Sequence, residues 1–309
     1  MRDPFISPPA ALVALVQPVA TSLSLPALAP HLHEVFIGWA VYHVLDRYVS
    51  PALSRLLFPR TYGSIDARTR INWDMRVAAL TQAVCVSALA VWIKYVDQEV
   101  AAMDGKQRLY GYSGGIGMVQ GFAAGYFLWD LSVCLTHYRL LGPETLVHAT
   151  SALVMILLAF RPFMQYYGLN FIMYEISTPF LNIHWFLDKF NMTGTKIQLY
   201  NGLLLVSTFV LSRLVWGSFN IIRMTYDVWT TARSAGIDLD STYATNGSSD
   251  GFLSGKENSG DPRPFETWLA GVFIGGNIVL WSLNVFWLGQ MIKALRKRFT
   301  PTQQTKKAN

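Results

Sequence analysis

The chain has 309 residues, of which 52% are hydrophobic and 14% are charged, whereas soluble domains carry roughly 25% charged residues. The formal net charge of +6 could suggest a nucleic-acid partner, but the basic residues lie between apolar blocks, which argues against one. The two cysteines, Cys85 and Cys134, fall inside apolar blocks, so no disulfide framework is expected. The composition therefore predicts an integral membrane protein.

Seven apolar segments are long enough to be transmembrane helices, which need about 20 mostly apolar residues. A further apolar stretch, 10–30, is interrupted by prolines and is interpreted as a re-entrant or interfacial piece. We therefore predict an all-α, polytopic membrane protein. The seven predicted spans lie near residues 32–50, 75–96, 113–136, 144–161, 164–186, 197–219 and 268–292.

Lysine and arginine residues predict the orientation, because they are enriched in the cytosolic connections of membrane proteins. The connection 51–74 and the tail 294–309 are basic, whereas the connections 97–112 and 220–267 are acidic. Seven spans place the two basic segments on one side and the two acidic segments on the other, with the C-terminus in the cytosol. The stretch 230–264 is rich in polar residues and glycine, so we expect a flexible lumenal loop.

Two short signals bear on location. Asn246 begins a glycosylation sequon on the predicted lumenal side. Lys306 and Lys307 resemble the dilysine retrieval signal of endoplasmic reticulum membrane proteins, which is read on a cytosolic tail. The alternative is a basic tail beside the membrane that happens to end in this way. The predicted location is the endoplasmic reticulum membrane.

Asp130 and His148 are ionisable residues inside predicted spans, where charges are costly and commonly mark a site. The short connection between their spans makes the two helices antiparallel neighbours, so we expect the two side chains at a similar depth. The acid would hold the imidazole in one tautomer, and the free ring nitrogen could act as a base or nucleophile. The alternative is a hydrogen bond that only joins two helices, worth about 1 kcal/mol. His137 shares the helix face of Asp130 and is a further candidate interior polar or lipid-binding residue.

A second polar group lies in the fifth and sixth predicted spans. Glu175, Thr178 and Asn182 repeat at i, i+3 and i+7 and therefore share one helix face, and a proline beside them predicts a kink. His184 lies near the predicted cytosolic end of the same span. Arg213 is expected either to pair with Glu175 or to extend toward the lumenal interface. These five residues are candidate interior polar or lipid-binding side chains.

No metal site or cofactor is expected. His31 and His33 do not share a helix face, no histidine box of the di-iron desaturase type is present, and no glycine-rich phosphate loop appears. The glycine run at 111–117 is interpreted as a surface for close helix packing.

Three motifs resemble the TLC-domain family, which includes the ceramide synthases. They are YFLWD at 126–130, ETLVH at 144–148 and EISTPFLN at 175–182, and the resemblance covers residues 70–293. The third motif is most similar to the non-synthase, TLC domain-containing branch. The resemblance implies a barrel of six core spans, open to the cytosol and the membrane, that could hold a long acyl chain.

Two positions depart from the patterns of that family. Ceramide synthases have a second histidine after the one matched by His148, but here Ala149 follows, which puts acyl-CoA-dependent N-acylation in doubt. In the branch it resembles most, an arginine commonly precedes the tryptophan of the fifth span, but here His184 precedes Trp185. A histidine would make any headgroup contact at that position dependent on pH.

The predicted organisation has three regions: 1–69 with the first span and a basic cytosolic connection, the TLC domain at 70–293, and a basic cytosolic tail at 294–309. We expect a protein that handles or senses acyl lipids and influences membrane lipid composition, with membrane lipids as its partners. The alternative is an N-acyltransferase that uses acyl-CoA and sphingoid bases, with His148 as base or acyl acceptor and Asp130 orienting it. A third hypothesis, a transporter or translocon accessory, follows from the charges inside the spans.

Overall fold

The computed structural model describes residues 7–161, 163–234 and 267–299. Every regular element in these ranges is helical, which confirms the all-α prediction. Two π-helical turns, Leu45–Val49 and Val210–Val215, and one 3-10 turn, Met173–Ser177, join consecutive α-helices. The α-helices of the described residues are α1 (Ala10–Ser22), α2 (Leu28–Val44), α3 (Ser50–Leu57), α4 (Pro59–Ser64), α5 (Ala67–Val96), α6 (Gln98–Ala102), α7 (Gly105–Tyr110), α8 (Gly114–Thr136), α9 (Tyr138–Leu158), α10 (Gln165–Ile172), α11 (Thr178–Lys189), α12 (Lys196–Phe209), α13 (Trp216–Ser234) and α14 (Thr267–Phe299).

Four helical segments in the described ranges are long and apolar enough to cross a membrane, as expected of a multi-pass membrane protein. The predicted span 144–161 is shorter in the structure, where its apolar helix is Thr145–Leu158, and Ala10–Ser22 is a second short apolar helix. The four long segments, each with the prediction it matches, are Ala67–Val96 (75–96), Gly105–Thr136 (113–136), Lys196–Ser234 (197–219) and Trp268–Arg296 (268–292).

The basic connection 51–74 is helical rather than open, since it contains α3, α4 and the start of α5. Hydrogen bonds hold it against the bundle: the hydroxyls of Ser50 and Tyr62 donate to the carboxylate of Asp74 over 2.6 and 2.7 Å. Asp66 caps α5, because its carboxylate accepts a hydrogen bond from the backbone N–H of Thr69 at 3.1 Å. The cap and these buried contacts explain why the segment folds.

The two acidic connections also contain helices. In 97–112, α7 begins with a capping box in which the side chains of Asp104 and Gln107 each accept a hydrogen bond from the other residue's backbone N–H. In 220–267, α13 continues as far as Ser234. The prediction of a loop over 230–264 is therefore wrong for its first five residues, and the rest, 235–264, lies outside the described residues, as do Asn246, Lys306 and Lys307.

The fifth predicted span is not one kinked helix but three consecutive segments: α10, the 3-10 turn and α11. Pro179 lies in the first turn of α11, where its missing N–H costs little. Because proline cannot donate, the carbonyl of Glu175 has no i+4 partner, and instead it accepts the backbone N–H of Thr178 in a 3-10 bond. The proline therefore interrupts the α-helical hydrogen bonding and separates α10 from α11.

Helix α9 changes direction at Gly142, which has φ 81° and ψ 172°. This left-handed conformation suits glycine, and Pro143 follows it, so the chain begins a new helical direction there. The sequence predicted a helix start at this point, and the structure agrees, with one additional helical turn from Tyr138 before the bend.

A ridge of glycines lets α8 pack closely on α2. Gly117 and Gly125 lie on this ridge with Gly121 between them. A Cβ atom added at Gly117 would lie 2.1 Å from Nε2 of His31, and one at Gly125 would lie 2.4 Å from the carbonyl oxygen of Val35. Side chains larger than hydrogen cannot fit here, so the close approach depends on glycine. This packing holds the first predicted span, 32–50, against the predicted domain at 70–293.

Candidate functional site

An ion pair between Glu175 and Arg213 lies at the centre of the candidate site. The Nη2 atom of Arg213 is 3.7 Å from Oε1 of Glu175, and their side chains are 13% and 25% exposed, respectively. Glu175 comes from the 3-10 turn, and Arg213 comes from the π-helical turn between α12 and α13. Both residues thus occupy irregular helical turns, which are frequent at functional sites.

Arg213 makes three hydrogen bonds besides the ion pair. Its guanidinium donates to the Ser177 hydroxyl at 3.0 Å, to the Thr178 hydroxyl at 3.2 Å and to the side-chain oxygen of Asn284 at 3.4 Å. It therefore connects the 3-10 turn, α11 and α14. Of the two interpretations that the sequence left open, pairing with Glu175 is the one observed.

The predicted polar stripe divides into two parts. Thr178 faces Arg213, but Asn182, one turn further on, is buried against α5. There its side-chain oxygen accepts a hydrogen bond from Nη1 of Arg76 at 3.0 Å, and Arg76 also stacks over Trp185 with its Cζ 4.9 Å from the ring centroid. Thr178 and Asn182, one helical turn apart, therefore contact two different arginines, Arg213 and Arg76.

Asp130 and His148 do not form the predicted hydrogen bond. Asp130 Oδ1 accepts a weak hydrogen bond from the Cys134 thiol at 3.9 Å. The His148 ring lies edge-on to Trp287 of α14, with ring centroids 6.2 Å apart. The physical reason is that His148 faces α14, where its ring contacts Trp287, and not the side of α8 that carries Asp130. Among the described residues, Glu175 and Arg213 are charged groups that interact electrostatically with His148.

His137 and His184 lie away from this centre. His137 lies between α8 and α9 and lines an open surface cavity of about 620 Å³ together with Arg68 and Arg139. His184 packs against α12, where a Cβ added at Gly202 would be 3.5 Å from its Cε1. The candidate residues therefore belong to one central cluster and to two separate positions.

Two buried polar atoms near the ion pair have no hydrogen-bond partner in the described part of the chain: Oη of Tyr174 and Nδ1 of His148. Both residues lie within electrostatic range of Arg213. Tyr174 packs on α13, where a Cβ added at Gly217 would be 2.4 Å from the phenolic oxygen. Buried polar atoms are almost always paired, so these two lack the hydrogen bond that a buried polar atom normally makes. Over the described ranges, no group of three or more His, Cys, Asp or Glu residues is placed to hold a metal ion.

Sequence reasoning missed several charged residues with defined partners. Besides Arg76, they include Arg108, whose guanidinium forms a two-bond ion pair with Asp227 over 2.7 and 2.8 Å. Tyr167 also donates to Asp227. Arg76 lies in the first turn of a predicted span, and Arg108 and Asp227 lie in predicted connections, where charged residues usually face water. The local sequence does not indicate these pairs, because their partners lie 106 and 119 residues away along the chain.

Helices long and apolar enough to span a membrane, with a partly buried ion pair on irregular turns between them, define a class of multi-pass proteins with a polar interior. A family model described as the TLC domain matches residues 72–293. The chain belongs to the TLC-domain family, whose members are generally lipid-related membrane proteins. This confirms the resemblance inferred from the three motifs.

The relatives are mostly named only for this domain. An uncharacterized TLC domain-containing protein of Schizosaccharomyces pombe is 33% identical, over 94% of this chain and 87% of its own length. The Saccharomyces cerevisiae protein named topoisomerase I damage affected protein 4 is 27% identical, over 89% of this chain and 88% of its own. Human TLC domain-containing protein 4 is 23% identical over 58% of this chain and 67% of its own. The similarity falls in the branch whose names carry no synthase activity.

Proposed function

We propose that this chain is an endoplasmic reticulum membrane protein that holds or senses acyl lipids and thereby influences membrane lipid composition. The observation that supports the proposal is the pair of unpartnered atoms, Tyr174 Oη and His148 Nδ1, beside the Glu175–Arg213 ion pair. A lipid ester, amide or hydroxyl could hydrogen-bond to one of them, and its acyl chains would lie among apolar side chains. A site made of one ion pair and a few neutral hydrogen-bonding groups suits a lipid of this kind.

The proposal is tested with a substitution that removes one hydroxyl. Tyr174→Phe deletes an atom that has no partner among the described residues, so we expect the thermal stability to be unchanged or slightly higher. If the hydroxyl binds lipid, less lipid should copurify with the variant than with the wild type, as measured by mass spectrometry of the purified protein. Tyr200→Phe is the matched control, because Tyr200 is 62% exposed on α12.

The cellular arm compares the lipid composition of cells that lack this protein with that of cells complemented by each variant. Wild type and Tyr200→Phe should restore the composition, and Tyr174→Phe should restore it only in part. A lipid composition unchanged by loss of the protein, together with unchanged lipid copurification by Tyr174→Phe, would refute the proposal.

The unpartnered Nδ1 of His148 also favours a second candidate, an N-acyltransferase that uses acyl-CoA and a sphingoid base. Glu175 is a second candidate for an acid that acts electrostatically on this imidazole, beside Asp130. The assay is acyl transfer by protein in lipid nanodiscs, with His148→Ala and Asp130→Asn in parallel. Product that disappears with His148→Ala and persists with Asp130→Asn would support an acyltransferase with His148 as its base. No product from folded wild-type protein would exclude this activity for the substrates supplied.

The location and topology belong to the same proposal: seven crossings, a cytosolic C-terminus and retrieval through Lys306 and Lys307. Replacing both lysines by serine should shift a fluorescently tagged protein from the endoplasmic reticulum to later compartments, since the signal is read by a receptor. Glycosylation at Asn246, seen as a mobility shift that a glycosidase reverses and that Asn246→Gln abolishes, would support a lumenal 230–264 segment. Full retention of the Lys306→Ser, Lys307→Ser double variant would overturn the retrieval signal.

A further inference from the structure

Lys94 and Arg223 lie together at the end of the bundle away from Arg76 and Asn182. Lys94 is two residues before the end of α5, about 3 Å along the helix axis. Its Nζ is 5.2 Å from the ring centroid of Tyr166, and the guanidinium carbon of Arg223 is 5.8 Å from the same ring. The two cations are within electrostatic range of each other.

The two cations have only neutral partners among the residues that the structure describes. Lys94 Nζ donates to the Asn170 side-chain oxygen at 2.7 Å and lies over the Trp216 ring at 5.0 Å. Arg223 donates to the Tyr166 hydroxyl at 3.4 Å. Within the same ranges neither cation is in an ion pair, and the nearby carboxylate of Asp227 is occupied by its two bonds from Arg108.

Most of the donors of this pair have no partner among the residues that the structure describes. An ammonium has three N–H donors and a guanidinium has five, and within those residues each of these side chains makes one hydrogen bond. Two like charges at a partly buried position repel each other unless an anion offsets them. The two side chains therefore have donors left for an anion with several acceptor oxygens.

The exposed residues beside Lys94 and Arg223 indicate the source of that anion. The surface beside the pair is apolar and exposed, which is typical of a face in contact with lipid. Tyrosine and tryptophan are enriched at the level of lipid headgroups, and Tyr95 lies at the end of α5. The exposed side chains, with their exposed fractions, are Tyr95 (71%), Phe219 (51%), Ile222 (69%) and Tyr226 (61%).

We propose that Lys94 and Arg223 bind the phosphate of an anionic phospholipid at the membrane interface. A phosphate presents acceptor oxygens to both cations, and charge-assisted bonds of this kind are stronger than neutral ones. A zwitterionic headgroup is less favourable, because its own cation would approach the same two charges. This site lies at the opposite end of the bundle from Arg76 and Asn182 and does not depend on the function proposed above.

The test measures lipid binding to the purified full-length protein by native mass spectrometry, with phosphatidylglycerol and phosphatidylcholine at equal concentrations. The wild type should retain phosphatidylglycerol preferentially. Lys94→Gln and Arg223→Gln should each weaken that retention by about tenfold, the size expected for one lost hydrogen bond between charged groups. Arg223→Lys keeps the charge and should keep most of the preference.

Arg233→Gln is the matched control, since Arg233 is an exposed cation on the same helix that stacks over Trp229 at 4.7 Å. This variant should bind like the wild type. No preference for phosphatidylglycerol in the wild type, or an equal loss in the Arg233 control, would overturn the proposal. A final arm adds inorganic phosphate: displacement of the lipid at comparable concentration would assign the site to soluble phosphate and overturn the lipid assignment.

Discussion

Replacing Arg213 with methionine tests whether the central ion pair stabilises the bundle. The change removes three hydrogen bonds and leaves Glu175 without its counter-ion. Polar contacts between membrane helices contribute about 0.6 kcal/mol each, and an uncompensated buried charge adds more, up to about 3–5 kcal/mol when fully buried. With the pair 13% and 25% exposed, we expect a loss of about 2–3 kcal/mol in the free energy of unfolding.

The coupling between the two charges is measured with a double-mutant cycle. In the Arg213→Met background, Glu175→Gln should restore about 1 kcal/mol, because a neutral amide is less costly to leave unpaired than a carboxylate. Unfolding is followed by tryptophan fluorescence during titration of mixed micelles with SDS, and Arg233→Met, at an exposed site, serves as the control. An Arg213→Met protein within about 0.5 kcal/mol of wild type, or additive single changes, would refute the reasoning.

Two further predictions concern helix packing and pH. Gly125→Ala should destabilise the protein by about 1–3 kcal/mol in the same assay, because the new Cβ would meet the Val35 backbone oxygen at 2.4 Å, whereas Gly271→Ala, with nothing within 4 Å, should be neutral. The hydrogen bond from Thr69 holds the pKa of Asp66 below its usual value, so this cap stabilises α5 above the unfolded pKa of about 3.9 and is lost as the pH falls through the lower folded pKa. The protection factors of amides at the start of α5, which correct for the intrinsic pH dependence of exchange, should therefore fall on acidification in the wild type but not in Asp66→Asn; equal acid responses of the two proteins would contradict this.

Hydrophobic runs in the sequence determine most of the architecture. A backbone can cross hydrocarbon only if its own hydrogen bonds are satisfied, so long apolar blocks predict helices directly. The same local logic located the helix start after Gly142 and the close packing of the glycine-rich start of α8. Local sequence was a poorer guide in the connections, because α3, α4, α6 and α7 are short and depend on caps and on contacts with the bundle.

The candidate site depended on how the helices rotate against one another, and the sequence alone could not provide that. Asp130 and His148 occupy neighbouring helices, but the His148 ring packs on Trp287 of α14 and does not reach Asp130. The sequence allowed Arg213 either to pair with Glu175 or to extend toward the lumenal interface. In the structure, the π-helical turn that carries Arg213 faces the 3-10 turn of Glu175, and the two side chains form an ion pair.

Lys94 and Arg223 illustrate the same limit over a longer distance, since each appears in the sequence as an isolated cation in its predicted segment. The sequence by itself determined the membrane class, the helical fold and the family motifs, because these depend on local hydrophobicity and spacing. Only the tertiary structure decided which charges meet, because a contact between side chains depends on the rotation and depth of two separate helices, and periodicity within one helix does not specify these.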